Sequence, residues 1–170
     1  MMKKALVILF VLTLTGCEYT SPFSGYPVNF VFDATVTPYN QAKSLGQFIC
    51  VRKGANIGQY RLTDAWGNTQ TVNIPQIHLV QSRFYYGLGG LIIGTPMNSD
   101  GNMRAFDWAC PNCDKATNRL KIERTLGHAM CPGCGVKFDL NSDGIAIEGK
   151  SRPMWQYRIF GTDNSLVIQN

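Results

Sequence analysis

Four cysteines in two Cys-Pro-x-Cys turns are the residues of this chain best suited to chemistry. They are Cys110 and Cys113 in CPNC, and Cys131 and Cys134 in CPGC, with 17 residues between the two turns. This spacing falls in the CxxC-x15–20-CxxC window that is typical of zinc sites. Each turn can direct two sulfurs at one point, so two turns can complete a tetrahedron of four thiolates around a metal ion. The sequence therefore predicts a metal centre at these four cysteines.

Two other interpretations keep the four cysteines without a metal. In an oxidising compartment they could pair as disulfides, and CPNC alone is similar to a thiol–disulfide exchange motif. An exchange enzyme would carry its CxxC at a helix N-terminus in a βαβ unit, and a second matched pair would have no role. We therefore favour a metal, and zinc over iron, because closed shells of four cysteines are commonest for structural zinc. A single iron or a [2Fe–2S] cluster is the alternative.

Other candidate ligands are few. His128 lies three residues before Cys131 and could approach the site, whereas His78 lies in the alternating segment PQIHLV. Four thiolates already complete a tetrahedral shell, so both histidines are expected to be structural or exposed. A non-haem iron oxygenase is disfavoured, since its iron needs two histidines and a carboxylate in a catalytic domain. We identify no catalytic residue, and Cys50, in the apolar segment FICV, is expected to be a small buried hydrophobe.

The N-terminal segment has the features of a secretory signal. Lys3 and Lys4 precede the apolar stretch ALVILFVLTLTG, which is too short to span a bilayer core of about 30 Å. The stretch ends in the letters LTGC, of which the last is Cys17, and these resemble the lipobox of bacterial lipoproteins. The resemblance implies that residues 1–16 are removed and that Cys17 becomes the first residue, carrying a diacylglyceryl group. An ordinary secretory signal with a chance cysteine is the alternative.

This N-terminus predicts where the protein works. Residues 17–27 contain prolines and a glycine among small polar residues, which suits a short tether to a folded domain over residues 28–170. Multiple acyl chains hold a protein stably on a membrane, so the predicted partner of Cys17 is the lipid bilayer. Glu18 is not the aspartate associated in some bacteria with inner-membrane retention, so by that resemblance we expect attachment to the bacterial outer membrane, facing the periplasm. The net charge is +5 but its basic residues are scattered, so nucleic acid is not an expected partner.

The folded domain is predicted to be all-β. Short segments rich in β-branched and aromatic residues alternate with turn signals such as WGN, NSDGN and GTDN. These segments are VNFVFDATV, GQFICVRK, GQYRLTD, TQTVNIPQIHLV, SRFYY, GLIIG, KFDL, IAIEG, WQYRIF and SLVIQ. Outside the signal, only residues 116–126 show a weak helical period. The glycines of GLGGLIIG are expected to let backbones approach closely before a buried strand at residues 91–93, because no phosphate-binding context surrounds them.

The cysteine loops and their flanks resemble the Rieske iron–sulfur domain family. AFDWACPNC provides an aromatic-containing strand that leads into a first ligand loop, and CPGCGVKFDLNSDGIAIEGKSRPMWQYRI provides a second loop and the later strands. The positions that match this later part of the family pattern are Phe138, Asp139, Gly144, Gly149, Pro153 and Tyr157. The resemblance covers about residues 85–170. It implies stacked antiparallel sheets with a small metal-binding subdomain, similar to a zinc ribbon or rubredoxin, at about residues 108–138.

The ligands depart from the Rieske pattern, in which each loop supplies one cysteine and one histidine. By the resemblance, Cys110 and Cys131 match the family's cysteines, Asn112 stands in place of the first histidine and Cys134 in place of the second. Histidine ligands raise Rieske potentials to about −150 to +300 mV, whereas all-cysteine [2Fe–2S] centres lie near about −400 mV. Even an iron cluster here would therefore not be expected to oxidise quinols.

Two tryptophans near the loops bear on a protein partner. Trp108 and Trp155 could form an apolar rim at the metal tip where a partner docks, although buried core aromatics are more common. The sequence thus predicts a lipid-anchored, Rieske-like module whose four-cysteine site holds a structural zinc ion. The alternative is an iron-containing electron carrier of the cell envelope.

Overall fold

The structure is a computed structural model, and it describes residues 23–74, 84–162 and 165–170. The predicted signal, Cys17 and His78 lie outside the described residues. Within them the chain forms two antiparallel β-sheets and a short 3₁₀ helix, Tyr39–Lys43. The prediction of an all-β fold is therefore confirmed. No helix in these three ranges is long and apolar enough to cross a bilayer.

The strands are short, as the spacing of the turn signals predicted. In chain order they are β1 (Val28–Phe32), β2 (Gln47–Lys53), β3 (Gln59–Thr63), β4 (Thr69–Asn73), β5 (Tyr85–Tyr86), β6 (Leu91–Thr95), β7 (Arg104–Asp107), β8 (Lys121–Glu123), β9 (His128–Met130), β10 (Lys137–Asp139), β11 (Ile145–Glu148), β12 (Gln156–Thr162) and β13 (Ser165–Gln169). The larger sheet has nine strands in the order β4-β3-β2-β6-β7-β12-β13-β1-β5, and the smaller has four in the order β11-β10-β9-β8.

The first hydrophobic core is built mainly by the larger sheet, with Ala42 of the 3₁₀ helix added to it. Side chains from strands at both ends of its strand order meet there, so the sheet folds over onto itself. The rings of Phe30 on β1 and Tyr60 on β3 lie 5.4 Å apart in an edge-on arrangement, although five other strands lie between β1 and β3 in the sheet. Phe30 is fully buried, and burial of such aromatic side chains is a large part of what stabilises a small β-domain.

The second hydrophobic core lies between the larger sheet and the smaller one. β2 is buried on both faces, because Ile49 and Val51 point into the first core while Phe48 and Cys50 point into the second. This double burial explains the continuous apolar run FICV, which a half-exposed strand would not need. Cys50 is 1% exposed, as its apolar neighbours predicted. The larger sheet is therefore the base on which the smaller sheet and its cysteine loops are mounted.

Two local predictions have different outcomes. Residues 116–126 form no helix, and strand β8 lies within them. The helix suggested by the weak 3.6-residue period of this segment was therefore a wrong prediction. The glycines before β6 do allow close backbone contact, because a Cβ on Gly89 would lie 2.5 Å from the Ala109 nitrogen. A Cβ on Gly90 would similarly lie 2.6 Å from the Val51 oxygen. Gly89 thus brings the segment before β6 against the backbone that leads into the first cysteine loop, and Gly90 brings it against β2.

Candidate metal centre

The two Cys-Pro-x-Cys turns follow the same backbone plan. The first turn comes shortly after β7, and the second joins β9 to β10. In the first, the Asp114 amide donates to the Cys110 carbonyl at 3.0 Å, and in the second the Gly135 amide donates to the Cys131 carbonyl at 2.9 Å. These equivalent bonds close each turn on itself. They place the two cysteines of each turn on the same side of the loop.

The residue after each turn adopts a left-handed conformation. Asp114 has φ of 49° and Gly135 has φ of 76°, so the chain reverses at the same point in both loops. Glycine reaches this conformation without strain, whereas aspartate reaches it at some cost. In the first loop a long-range contact accompanies this conformation, because the Tyr26 hydroxyl donates to Asp114 Oδ1 at 2.7 Å. The segment that follows the predicted tether is thereby attached to the first cysteine loop.

The two turns bring four sulfur atoms together. Cys110 Sγ lies 3.7 Å from Cys134 Sγ, and Cys113 Sγ lies 3.7 Å from Cys131 Sγ, so each close pair joins the two loops. All four sulfurs lie within 4.8 Å of one another. For metal–sulfur bonds of about 2.3 Å, the edge of a regular tetrahedron is about 3.8 Å. Both the donor chemistry and the spacing of this group therefore fit a single thiophilic metal ion.

The four cysteines differ in exposure. Cys110 and Cys131, the first cysteine of each turn, are fully buried and belong to the second core. Cys113 is half-buried and Cys134 is exposed. The group is thus anchored in the interior on one side and reaches the surface on the other. An ion held there would be close to solvent and to any molecule that docked over Cys134.

The surroundings shift the pKa values of the Cys110, Cys131 and Cys134 thiols in different directions. Burial raises the pKa of the Cys110 and Cys131 thiols, although backbone amides of their own turns favour the thiolate. At Cys134 burial acts in the same direction, but hydrogen bonds from the Val136 amide, the Asn112 side chain and two other cysteines of the group together outweigh it and lower the pKa to about 6. Asn112, the residue at the position of the first Rieske histidine, therefore stabilises the thiolate at the position of the second. Binding of a cation would displace the protons from the buried thiols.

His128 is not among the residues of the sulfur group. His128 is in β9, where it pairs with Glu123 of β8 and Asp139 of β10, and it does not belong to the cluster of ligand atoms. Its Nδ1 atom is buried and has no hydrogen-bond partner among the described residues. His78 cannot be placed, because it lies outside the described residues. The candidate ligands within the described ranges are therefore the four cysteines.

The two tryptophans near the site are engaged in the fold. Trp108 is half-buried, and its indole Nε1 donates to the Leu120 carbonyl at 2.7 Å, linking the start of the first loop to its end. Trp155 is 6% exposed and packs edge-on against Tyr26 at 5.2 Å. Trp155 therefore stabilises the interior, which agrees with the commoner expectation of a buried core aromatic and excludes the alternative of an exposed rim at this residue.

A buried carboxylate near the first loop was not recognised from the sequence. Asp107 is 0% exposed, and its two oxygens accept four hydrogen bonds. The donors are the amides of Leu88 at 2.6 Å, Gly89 at 2.9 Å and Ala109 at 2.7 Å, and the Tyr157 hydroxyl at 2.6 Å. Burial raises the pKa of this carboxyl, while the four donors favour its charged form. Because Ala109 directly precedes Cys110, Asp107 fixes the entry to the metal loop.

Two cavities of substantial size lie away from the sulfur group. One, of about 640 Å³, is lined by residues that include Lys53, Ile57, Tyr86 and Arg119. The other, of about 610 Å³, lies against β12. None of the four cysteines lines either cavity. The sulfur group is therefore not positioned to act on a molecule held in one of these two cavities.

Comparison with known proteins finds a likeness in structure but no family model or curated relative. No family model matches the chain, and no curated protein matches its sequence. Among solved structures, the chain is similar to the plasma membrane Rieske protein PetC3 from Synechocystis PCC 6803, with a TM-score of 0.39 and 16% sequence identity. The similar region covers 66% of this chain and 87% of that chain. At this level the likeness does not assign the chain to the Rieske family, and membership stays a prediction from the cysteine loops and their flanks.

Proposed function

We propose that this chain is a lipid-anchored, non-catalytic binding module of the bacterial cell envelope, in which Cys110, Cys113, Cys131 and Cys134 hold one structural zinc ion. The observation that carries the proposal is the mutual distance of at most 4.8 Å among the four sulfurs. Four thiolates fill all the positions of a tetrahedral zinc site, so no position is open for a water molecule or a substrate. A closed site of this kind is structural rather than catalytic.

The proposed ion has a clear structural task. β8, β9 and β10 have three residues each, and the sheet they form with the four-residue β11 is joined to the larger sheet through the second core. Strands of this length supply few backbone hydrogen bonds and little apolar area, so such a sheet is marginal without a cross-link. The ion supplies strong bonds between the two loops, and ligation of this kind contributes directly to folding in small metal-binding domains.

An iron-containing electron carrier is the second candidate. It is favoured by the backbone amides that point at the sulfurs of Cys110 and Cys131, since hydrogen bonds to ligand sulfurs tune the potentials of iron centres. The exposure of Cys134 would also suit electron exchange with a partner. Of the iron forms, a single rubredoxin-like iron suits the compact sulfur group. A [2Fe–2S] cluster contains a second iron, so its four thiolates would have to spread farther apart.

The proposed location rests on the N-terminal motif, and the proposed partner surface rests on the exposed side of the metal group. Cys17 in its lipobox-like sequence is the proposed lipid attachment site, and Glu18 after it favours the outer membrane with the domain in the periplasm. The partner surface that we propose surrounds exposed Cys134 and Asn112, where the metal group reaches solvent. A protein docking there would contact the loops that the ion holds in place.

Metal analysis tests the proposal directly. The full chain, extracted in detergent under anaerobic conditions and without added metal, is analysed for its elemental content and its visible absorption. We expect one zinc per chain and no absorption above the protein background, because zinc has no redox or d–d transitions. Cys131→Ser should lose the zinc and unfold at lower denaturant concentration. Cys50→Ser is the matched control, because Cys50 is equally buried in the second core but is not a member of the sulfur group.

The outcomes separate the two candidates. One zinc per chain, absent from the Cys131 variant and retained in the Cys50 variant, supports the structural site. One iron per chain with visible thiolate-to-iron charge-transfer bands would replace zinc by the rubredoxin-like carrier, and two irons with labile sulfide would indicate a cluster. A chain whose four thiols are oxidised and metal-free after anaerobic extraction would contradict both.

A further inference from the structure

The four residues that precede β1 are bound to the larger sheet. We call residues 24–27 the strap, and its backbone groups are hydrogen-bonded to β12, to the residue after β13 and to the residue after β5. These bonds join Ser24 N to Gln156 O at 3.2 Å, Asn170 Nδ2 to Ser24 O at 3.1 Å and to Tyr26 O at 2.9 Å, and Gly87 N to Pro27 O at 3.1 Å. Ser24 is 5% exposed. The backbone of the strap is therefore held by the larger sheet rather than by the cysteine loops.

One side chain of the strap reaches the first cysteine loop. The Tyr26 ring packs edge-on against Trp155, which directly precedes β12, with 5.2 Å between the ring centres. The Tyr26 hydroxyl donates to Asp114 Oδ1 at 2.7 Å. Asp114 directly follows Cys113, and its amide donates to the Cys110 carbonyl at 3.0 Å, the bond that closes the turn. A hydroxyl positioned by the larger sheet thus holds the residue that closes the first cysteine turn.

The two cysteine turns differ at the residue that closes them. Gly135 closes the second turn with φ of 76°, and a Cβ there would meet no atom within 4 Å. Asp114 closes the first turn with φ of 49°, a conformation that aspartate adopts less readily than glycine. Its carboxylate is held by a hydroxyl that lies 88 positions away in the chain. The contact with the strap therefore falls on the turn whose closing residue is less suited to its conformation.

We propose that Tyr26 is a positioning residue for the metal centre: it holds Asp114 in the turn-closing conformation and thereby directs the sulfurs of Cys110 and Cys113 at the ion. The inference deepens the proposed function and rests on it, because it needs an ion at the four cysteines. Part of the ligand geometry is then set by the larger sheet through the strap, although all four ligands belong to the two loops. Because coupling between two sites is reciprocal, a bound ion strengthens the contact between Tyr26 and Asp114 as much as this contact strengthens ion binding.

The zinc affinity of the full chain tests the role of the hydroxyl. The metal-free chain is titrated with zinc in competition with a chromophoric chelator. Tyr26→Phe keeps the ring that packs on Trp155 and removes the hydroxyl alone. We expect its zinc affinity to be about three- to tenfold lower, the equivalent of one hydrogen bond that the closed turn requires. Tyr85→Phe is the matched control, because it removes the hydroxyl of an exposed tyrosine on β5 and should leave the affinity unchanged.

A glycine at the turn-closing position provides the sharper test. Asp114→Gly gives the first turn the same closing residue as the second, so it removes both the left-handed strain and the acceptor of the Tyr26 hydroxyl. In a chain that carries Asp114→Gly, the addition of Tyr26→Phe should therefore have no effect on zinc affinity. A loss as large as in the wild-type background would overturn the proposal, since Tyr26 would then act through its contacts within the larger sheet.

Hydrogen exchange in the metal-free chain distinguishes an effect on the loop from an effect on the whole fold. Tyr26→Phe should speed exchange about three- to tenfold in the peptide that spans residues 110–118, and leave peptides of β1 and β3 unchanged. Unchanged exchange in the loop peptide would overturn the proposal. Equally faster exchange in all three regions would also overturn it, because the hydroxyl would then stabilise the fold in general.

Zinc binding by the wild-type chain separates the inference from the proposed function. A wild-type chain that takes up no zinc contradicts the structural zinc site, and the inference fails with it. A wild-type chain that binds zinc no more tightly than the Tyr26→Phe chain contradicts the inference alone.

Discussion

The nine-stranded sheet and the four-stranded sheet bury side chains of different kinds. The core inside the larger sheet consists of aliphatic and aromatic residues, among them Phe30, Ile93 and Ile168, which come from strands of five residues. The core beneath the smaller sheet also contains large apolar residues, but two of its buried members are the candidate ligands Cys110 and Cys131. The first core can be stabilised by the burial of apolar side chains alone. Part of the second core consists of thiols that are suited to binding a metal ion.

This difference assigns distinct tasks to the two regions. The larger sheet can fix its register through many backbone pairs and a continuous apolar interior. The smaller sheet has only short strands, and its two loops converge at four sulfurs. We therefore expect the stability of the larger sheet to be largely independent of a bound ion, and that of the smaller sheet to depend on it.

Metal removal should produce the largest effect. A chelator that strips the ion is expected to lower hydrogen-exchange protection of amides in β9 and β10 by about three orders of magnitude or more, since a structural zinc ion contributes about 10 kcal/mol or more to the folding of a small domain. Amides in β1 and β3 should change far less, because the buried side chains of these two strands pack in the first core. The measurement is hydrogen exchange followed by mass spectrometry before and after chelation. An equal loss in both sheets would show that the two cores unfold as one unit and would remove the distinction between them.

Asp107 should produce the next largest effect, because it lies where the two regions join. Asp107→Asn replaces one acceptor oxygen by a donor that faces existing N–H and O–H groups, so we expect the free energy of unfolding to fall by about 2–4 kcal/mol. Asp64→Asn is the matched control, since Asp64 also accepts the amides of Trp66 and Asn68 but lies in an exposed turn. That variant should cost about 1 kcal/mol or less. Urea unfolding of both variants gives the comparison, and equal losses would mean that burial adds nothing at Asp107.

The sequence predicted the parts of the fold that depend on local patterns. The spacing of the four cysteines indicated a shared site, and the structure brings their sulfurs together. The continuous run FICV and the segment after GLGG correspond to strands that are buried on both faces, β2 and β6. In these cases the signal is contained in a few consecutive residues, so neighbouring elements are not needed to interpret it.

The parts that were missed depend on distant residues. β8 and β9 have three residues each, which is too short for an alternating pattern. They are created by their pairing with each other and by the pairing of β9 with β10. Asp107 was missed because its donors Leu88 and Tyr157 lie 19 and 50 residues away in the chain. A buried carboxylate is recognised by the donors around it, and the sequence DWAC contains one of the four, the Ala109 amide. Only the folded chain brings these groups together.

The smallest expected effect distinguishes the two cysteine loops from the rest of the chain. Gly135 has φ of 76° and its Cβ would meet no atom within 4 Å, so Gly135→Ala introduces backbone strain of about 1–2 kcal/mol without a clash. If this conformation is needed to bring Cys131 and Cys134 to the ion, metal affinity should fall about 5- to 30-fold, the equivalent of that strain. Competition with a chromophoric chelator measures the affinity.

Gly101 provides the control, because it has φ of 85°, is equally open, and lies outside both cysteine loops. Gly101→Ala should lower the free energy of unfolding by a similar amount and leave metal affinity unchanged. Gly135→Asn should recover much of the affinity, since asparagine adopts the left-handed conformation more readily than alanine and Asp114 already does so in the other loop. Equal metal affinities of the Gly135→Ala and Gly101→Ala variants would mean that the loop adjusts without this conformation. The sulfur group would then be held by the second core rather than by the geometry of its own turns.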